Sequence, residues 1–125
     1  GLDVSPNEAG AVSSARDVAH LLEYIIVNYP EIVHMTTFES KRVYTREGDS
    51  IEVENTNRVV DEIDGLIASK TGYTDLAGGN LVIAFNAAFD RPIIVVSLGS
   101  SFEGRFNDIM MMSDAARTYI TQSAH

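Results

Sequence analysis

Apolar positions along this chain fall into three kinds of pattern. Val18, Leu21, Leu22, Ile25 and Ile26 recur at helical spacing and form one stripe. Ser13 and Ser14 stand ahead of it as N-caps, with Asp17 in the first turn, where the helix dipole favours negative charge. The stripe stops at Asn28-Tyr29-Pro30, because proline has no amide to continue the ladder, and Glu31 to His34 add a further turn. A second kind of pattern is short and β-leaning, over Met35 to Phe38 and Lys41 to Thr45. Ile51 and Val53 then alternate with polar residues as in a half-buried strand. A turn at Glu47-Gly48-Asp49-Ser50 makes this region a hairpin, or two arms of a surface excursion.

The third kind is the unbroken apolar run. Leu81 to Phe89 and Ile93 to Leu98 are separated by Asp90-Arg91-Pro92, too short for a crossover helix, so they pair antiparallel. Strands without polar alternation are covered on both faces, which places the sheet between helical layers. Gly65-Leu66-Ile67-Ala68 opens a further strand, Leu66 to Thr71, and Asp75 to Gly79 read as a loop. Before it, Asn55-Thr56-Asn57-Arg58 leads into Val59-Val60 and a helical turn around Asp61-Glu62-Ile63. After the sheet, Gly99-Ser100-Ser101 turns the chain into a last helix with Phe102, Phe106, Ile109, Met110, Ala116 and Ile120 on one broad face. Gly1 to Val12 has no period and reads as an extended or looped lead-in; a domain that starts this way is expected to be a piece of something longer. The predicted class is α+β, an antiparallel sheet flanked by helices, in a single domain over residues 1–125.

Composition narrows the partners. With 125 residues and 45% hydrophobic content the chain can bury an ordinary globular core. A net charge of -9 argues against nucleic acid, whose phosphates need a basic face. No apolar run approaches the ~20 residues that span a bilayer. Cysteine is absent, which excludes disulfides and thiolate metal sites and leaves the compartment open.

One stretch carries chemistry. The strand from Leu66 runs into Ser69-Lys70-Thr71-Gly72-Tyr73-Thr74, an amine, a hydroxyl and a glycine in succession. Lys70 can hold a carboxylate by charge, Thr71 can donate and accept, and Gly72 lets another backbone approach. An isolated Lys-Thr-Gly more often only decorates a strand end. Arg105 is the other oddity, a cation in the first turn of a helix, where the dipole disfavours it.

The surroundings of Lys-Thr-Gly change that balance. Asp64 through Leu81, DGLIASKTGYTDLAGGNL, resembles the third-motif region of the D-alanyl-D-alanine carboxypeptidases, the low-molecular-mass penicillin-binding proteins of the S11 peptidase type. Ser13-Ser14-Ala15-Arg16-Asp17-Val18-Ala19 is similar to the helix after that family's second motif. Asn55-Thr56-Asn57-Arg58 is similar to the Asn-x-Asn segment before its third, and Phe102-Glu103-Gly104-Arg105 to the opening of its last helix. These landmarks fall in family order over nearly the whole chain.

The family's nucleophile tetrad, Ser-x-x-Lys, occurs nowhere in this chain, and its second motif, Ser-x-Asn, is expected to be missing as well. The resemblance therefore implies the C-terminal part of a β-lactamase/transpeptidase-like domain, without the N-terminal strands and the nucleophile helix. Their absence is expected to expose the edge of the Ile93–Leu98 strand, with a homodimer or swapped pairing there. By resemblance, Lys70 supplies positive potential and Thr71 a hydroxyl to a substrate carboxylate, while Gly72 permits close pairing. The Tyr73 backbone amide furnishes an oxyanion-hole donor, and Arg105 binds carboxylate. The substrate would lie along the Leu66–Tyr73 edge as an added strand. Lys70 is on this account a substrate-facing charge and not a general base.

The implied activity is a serine-type D-Ala-D-Ala carboxypeptidase acting on peptidoglycan peptides, with β-lactams as mimics, no cofactor and no metal, on the extracytoplasmic side of the membrane. This chain would be its recognition half and inactive alone. The alternatives are a non-catalytic peptidoglycan-binding or interaction protein that keeps the Lys-Thr-Gly wall, and a β-lactamase relative, which the flanking landmarks disfavour. Simpler readings stand beside the rest. Arg105 could be an exposed cation pairing with Glu103 or Asp108. His20 and His34 are structural or solvated, Asp49, Glu52 and Glu54 form a charged hairpin tip, and Asp61, Glu62 and Asp64 a solvated turn. Met110-Met111-Met112 is core filler with one exposed member.

Overall fold

A computed structural model describes residues 3–123; Gly1 and Leu2 of the expected lead-in lie outside the described residues. Between residues 3 and 14 the chain is irregular, with one bridge joining Ser5 and Glu8. Helix α1, Ala15–Asn28, starts where its cap dictates: the Ser14 hydroxyl accepts from the Asp17 amide at 3.2 Å. Leu22 is its buried anchor, with Val18, Ile25 and Ile26 packed beside it. Leu21, expected in the same stripe, faces outward and is exposed. Helix α2, Pro30–His34, takes its proline at the first turn, where the missing amide costs nothing.

Met35 to Phe38 is not a strand. Residues Met35–Thr37 form a 3-10 turn in which the Thr36 and Thr37 hydroxyls donate to the carbonyls of Val33 and His34 at 2.6 and 2.8 Å. Such local hydroxyl bonds offer the backbone an alternative to a ladder and override the β preference of threonine. Strands β1, Ser40–Tyr44, and β2, Ser50–Glu54, make the expected hairpin, with Ser40 opposite Glu54 and Tyr44 opposite Ser50. Both strands are exposed throughout, so the alternation of Ile51 and Val53 does not mark a half-buried strand. The hairpin flanks a groove and has no layer packed beneath it.

The main sheet has the order β3–β4–β5, Leu66–Thr74, Gly78–Ala88 and Arg91–Ser100, antiparallel throughout. These strands outrun the apolar runs that announced them. β3 continues through Tyr73 and Thr74, which pair with Gly79 and Gly78, so the turn is only Asp75-Leu76-Ala77 and the last two residues of the expected loop are strand. Asn80 fastens this end, donating from Nδ2 to the Gly78 carbonyl and accepting from the Gly99 amide through Oδ1, each at 2.9 Å. Gly79 is obligatory for packing, since a Cβ there would lie 2.1 Å from the Ser101 carbonyl oxygen.

Alternation along β4 builds a core on each face. Leu81, Ile83, Phe85 and Ala87 pack with Val59, Ile63 and, from helix α3 (Gly104–Ser123), Phe106 and Ile109. Val82 and Ala84 turn the other way, against Ala68 of β3, Leu22 of α1 and Val33 of α2. Burying each large aliphatic side chain stabilises by roughly 1.5–3 kcal/mol, so the covered sheet is the rigid element on which β3 rides. In the Met110-Met111-Met112 run, Met110 packs on the α3-side core while Met111 and Met112 are both exposed, one more than expected. The outer edge of β5 has no partner strand among the described residues. No observation here supports the self-pairing expected across it.

Candidate functional site

Strand parity sets what β3 offers to an incoming molecule. Its register with β4 is regular from Ala68 to Thr74, and the Ser69 amide points away from β4, donating to Thr36 Oγ1 at 2.9 Å. Alternate residues of an antiparallel strand turn their backbone groups to opposite edges. Thr71 and Tyr73 therefore face outward with Ser69, while Lys70 and Gly72 bond into the sheet. Accordingly, the Gly72 carbonyl accepts from Arg105 Nη1 at 2.8 Å on the inner side.

The five residues singled out from the sequence come together at this end of β3. Lys70 is exposed and its ammonium donates to the Thr71 carbonyl. The Thr71 hydroxyl lies 2.5 Å from that of Thr56. Tyr73 stacks its ring edge-on against Phe102 at 5.0 Å, and its outward N–H and C=O carry no bond among the described residues. Gly72 has an exposed face: an added Cβ would meet only Asn80 Cβ at 3.8 Å, an ordinary contact, and its φ is not positive. Nothing inside the protein requires glycine there.

Arg105 is not an exposed surface cation. It is 4% exposed, and neither suggested acid pairs with it. Glu103 is held by Arg58 at 2.7 Å and Asp108 accepts from Ser97 Oγ at 3.2 Å. Its guanidinium lies over the rings of Phe102 and Phe106 at 4.5 and 4.7 Å, and its Nε is buried with no partner among the described residues. Helix α3 can begin this close because residue 104 is glycine, whose added Cβ would fall 2.6 Å from Ser101 Oγ. That same hydroxyl caps the helix, accepting from the Gly104 amide at 2.9 Å.

Thr36 and Thr56 belong to the site and were not found from the sequence. Thr36 meets β3 across 33 residues of chain, bonding Ser69 through its hydroxyl and, from Ser69 Oγ at 3.1 Å, through its carbonyl. Asn55 braces both, donating from Nδ2 to the carbonyls of Thr36 and Phe38 at 2.9 Å each and accepting from the Asn57 amide at 2.9 Å. Asn57 is buried beneath, with its Nδ2 unpartnered. These residues wall a groove of about 280 Å³ lined by Thr36, Phe38, Lys41, Thr56, Lys70 and Thr71 among others.

The other candidates lie elsewhere. His20 sits 3.5 Å from Glu23 with both side chains exposed, and His34 packs edge-on against Phe38. Among the described residues no three of His, Cys, Asp and Glu gather as metal ligands. The letters Ser-x-Asn do occur once, at Ser5-Pro6-Asn7, against the expectation that they are missing. They form a local turn in which Ser5 Oγ accepts from the Asn7 amide at 3.3 Å, and none of them lines the groove.

Residues 1–101 match the family model described as D-alanyl-D-alanine carboxypeptidase. Penicillin-binding protein D2 from Listeria monocytogenes, solved with ampicillin bound, superposes with a TM-score of 0.76 at 30% identity, covering 91% of this chain and 44% of that one. Its cefotaxime-bound form gives 0.75 at the same identity and coverage. The D-alanyl-D-alanine carboxypeptidase from Mycobacterium tuberculosis H37Rv gives 0.63 at 26% identity, over 78% of this chain and 35% of that one. The chain thus spans less than half the length of the solved structures it matches.

Proposed function

We infer that this chain, which belongs to the D-alanyl-D-alanine carboxypeptidase family, is the substrate-recognition wall of a serine-type D-Ala-D-Ala carboxypeptidase acting on peptidoglycan stem peptides. The observation that carries the reading is the unused backbone pair of Tyr73 beside the Lys70 ammonium and the Thr71 hydroxyl, on a β edge backed by a rigid sheet. A peptide added antiparallel to this edge donates its amide to the Tyr73 carbonyl and places the carbonyl of the bond to be cut at the Tyr73 N–H. When a serine attacks that carbonyl, negative charge develops on its oxygen, and a fixed donor there accounts for ~10²–10³ in rate. D-Alanine leaves with a proton, and water then hydrolyses the acyl-enzyme.

The remaining residues hold the far end of the peptide. Lys70 attracts the terminal carboxylate by charge, and Thr71, its hydroxyl oriented by Thr56, hydrogen-bonds it. Gly72 is a glycine that the fold itself does not demand, so its bare face is best explained by the approaching peptide. Arg105 adds positive charge from beneath Gly72. Ampicillin and cefotaxime are bound in the Listeria relative, and on this reading β-lactams would take the same edge with their carboxylate at Lys70 and Thr71.

On this reading the nucleophile comes from residues outside this chain, in which no Ser-x-x-Lys occurs. We take the chain as the C-terminal part of the catalytic domain, the unmatched length of the relatives leaving room for the nucleophile helix and further strands against β5. The substrate places the enzyme outside the cytoplasmic membrane; no helix among the described residues is long and apolar enough to cross one. A fluorescent penicillin tests the division of labour. The chain alone should take up no covalent label, while the full-length protein should label at a serine upstream of Gly1. Labelling of the isolated chain would refute the missing nucleophile. A full-length protein without Ser-x-x-Lys would instead favour the second reading, a non-catalytic peptidoglycan-binding protein.

A further inference from the structure

The outer edge of β3 is open over a shorter stretch than the strand itself. Ser69, Thr71 and Tyr73 turn their backbone groups outward, but two of the three are already engaged. The Thr71 carbonyl accepts from the Lys70 ammonium, and the Ser69 amide donates to Thr36 Oγ1 at 2.9 Å. Tyr73 alone of the three keeps both groups free among the described residues.

Thr36 is not a casual neighbour of this edge. Its hydroxyl donates to the Val33 carbonyl at 2.6 Å while accepting from Ser69, so its one proton is committed. Its carbonyl accepts from both Asn55 Nδ2 and Ser69 Oγ, at 2.9 and 3.1 Å. The 3-10 turn is therefore clamped onto β3 immediately before Lys70.

We propose that Thr36 and its turn act as a stop on the peptide edge and limit how far a chain can run past the bond to be cut, making Thr36 a specificity determinant for cleavage near a carboxy terminus. This rests on the recognition role assigned above. A peptide antiparallel to β3 with its scissile carbonyl at the Tyr73 N–H runs its C-terminal side toward Ser69. The first residue past that bond lies opposite Gly72, the second opposite Thr71 and the fourth opposite Ser69. The second shares a Thr71 carbonyl that already accepts from the Lys70 ammonium, and the fourth meets the Thr36 side chain on an amide already spent. A peptide ending one residue past the bond needs neither group and leaves its carboxylate beside Lys70 and Thr71.

The test uses the ¹⁵N-labelled chain and two peptides, N-acetyl-Lys-D-Ala-D-Ala and the same peptide extended at its C-terminus by three glycines, titrated by ¹H–¹⁵N correlation spectra. The short peptide should shift the Thr71 and Tyr73 amides, and the extended one should bind at least ~10-fold more weakly, a difference of about 1.4 kcal/mol. Thr36→Ala should recover most of that loss for the extended peptide, whereas Thr36→Ser, which keeps the hydroxyl, should behave as the native chain. Equal binding of both peptides to the native chain would overturn the stop while leaving the recognition role intact, and this comparison does not depend on any variant folding. A short peptide that leaves Tyr73 unmoved would refute the recognition role itself, and the stop with it.

Discussion

Arg105→Met separates what the buried guanidinium does for the fold from what it does for the site. On the favourable side stand one charge-assisted bond to the Gly72 carbonyl, about 1.5–3 kcal/mol, and two ring contacts, each about 0.5–2 kcal/mol. Against them stands the desolvation of a full charge with no acid beside it, several kcal/mol on the usual scale. The unpartnered Nε adds roughly 1–3 kcal/mol more. The two sides nearly cancel, so methionine, of similar length and apolar, should change stability by no more than about 1 kcal/mol, a few degrees in Tm at this size.

Binding should not be spared. From beneath Gly72 the charge stands one hydrogen bond and one strand spacing from a peptide on the outer edge, roughly 7–8 Å. At an effective dielectric of about 20 it attracts a carboxylate there by ~2 kcal/mol, so Arg105→Met should weaken a D-Ala-D-Ala peptide ~30-fold. Urea unfolding followed by circular dichroism gives the first quantity and the amide titration gives the second. A C-terminally amidated peptide, which has no carboxylate to lose, should bind the native and variant chains alike. A loss of stability above about 3 kcal/mol with unchanged affinity would show the reasoning wrong and leave Arg105 a strut for β3.

Thr71→Val keeps the β-branched shape and removes the hydroxyl paired with Thr56. Peptide affinity in the same titration should fall about tenfold or more, the worth of a hydrogen bond to a charged group, while Thr71→Ser retains it; equal affinity of Val and Ser variants would remove Thr71 from the site. Two glycines on facing strands should part company in urea unfolding and peptide binding. Gly79→Ala drives a Cβ onto the Ser101 carbonyl and should cost roughly 3 kcal/mol or more. Gly72→Ala finds room and should leave stability within about 0.5 kcal/mol yet weaken the peptide. A Gly72→Ala chain that unfolds early would mean the fold does demand that glycine.

The periodic parts of this protein were legible in the chain. A five-residue helical stripe, the Ser14 cap, a proline stop and two apolar runs too closely spaced for a crossover determine α1, the β4–β5 hairpin and a sheet covered on both faces. These are local or pattern-driven effects, and a neighbouring residue is enough to decide them. The Lys-Thr-Gly stretch and its flanks likewise mark the candidate wall in the chain itself.

Tertiary structure decided everything that depends on who faces whom. Met35 to Thr37 is the local exception, a 3-10 turn held by threonine hydroxyls reaching back to Val33 and His34, against a propensity that points the other way. Gly78 and Gly79 read as loop by composition and became strand because β3 was there to pair with them. Arg105 could be an exposed ion pair or a buried charge from its neighbours in sequence, and only the packing of Phe102 and Phe106 around it chose. Thr36 carries no signal at all in the chain. A hydroxyl is an ordinary surface group until the fold brings an outward amide to within 2.9 Å of it, and that distance, fixed by 33 residues of intervening structure, is what sets the end of the open edge.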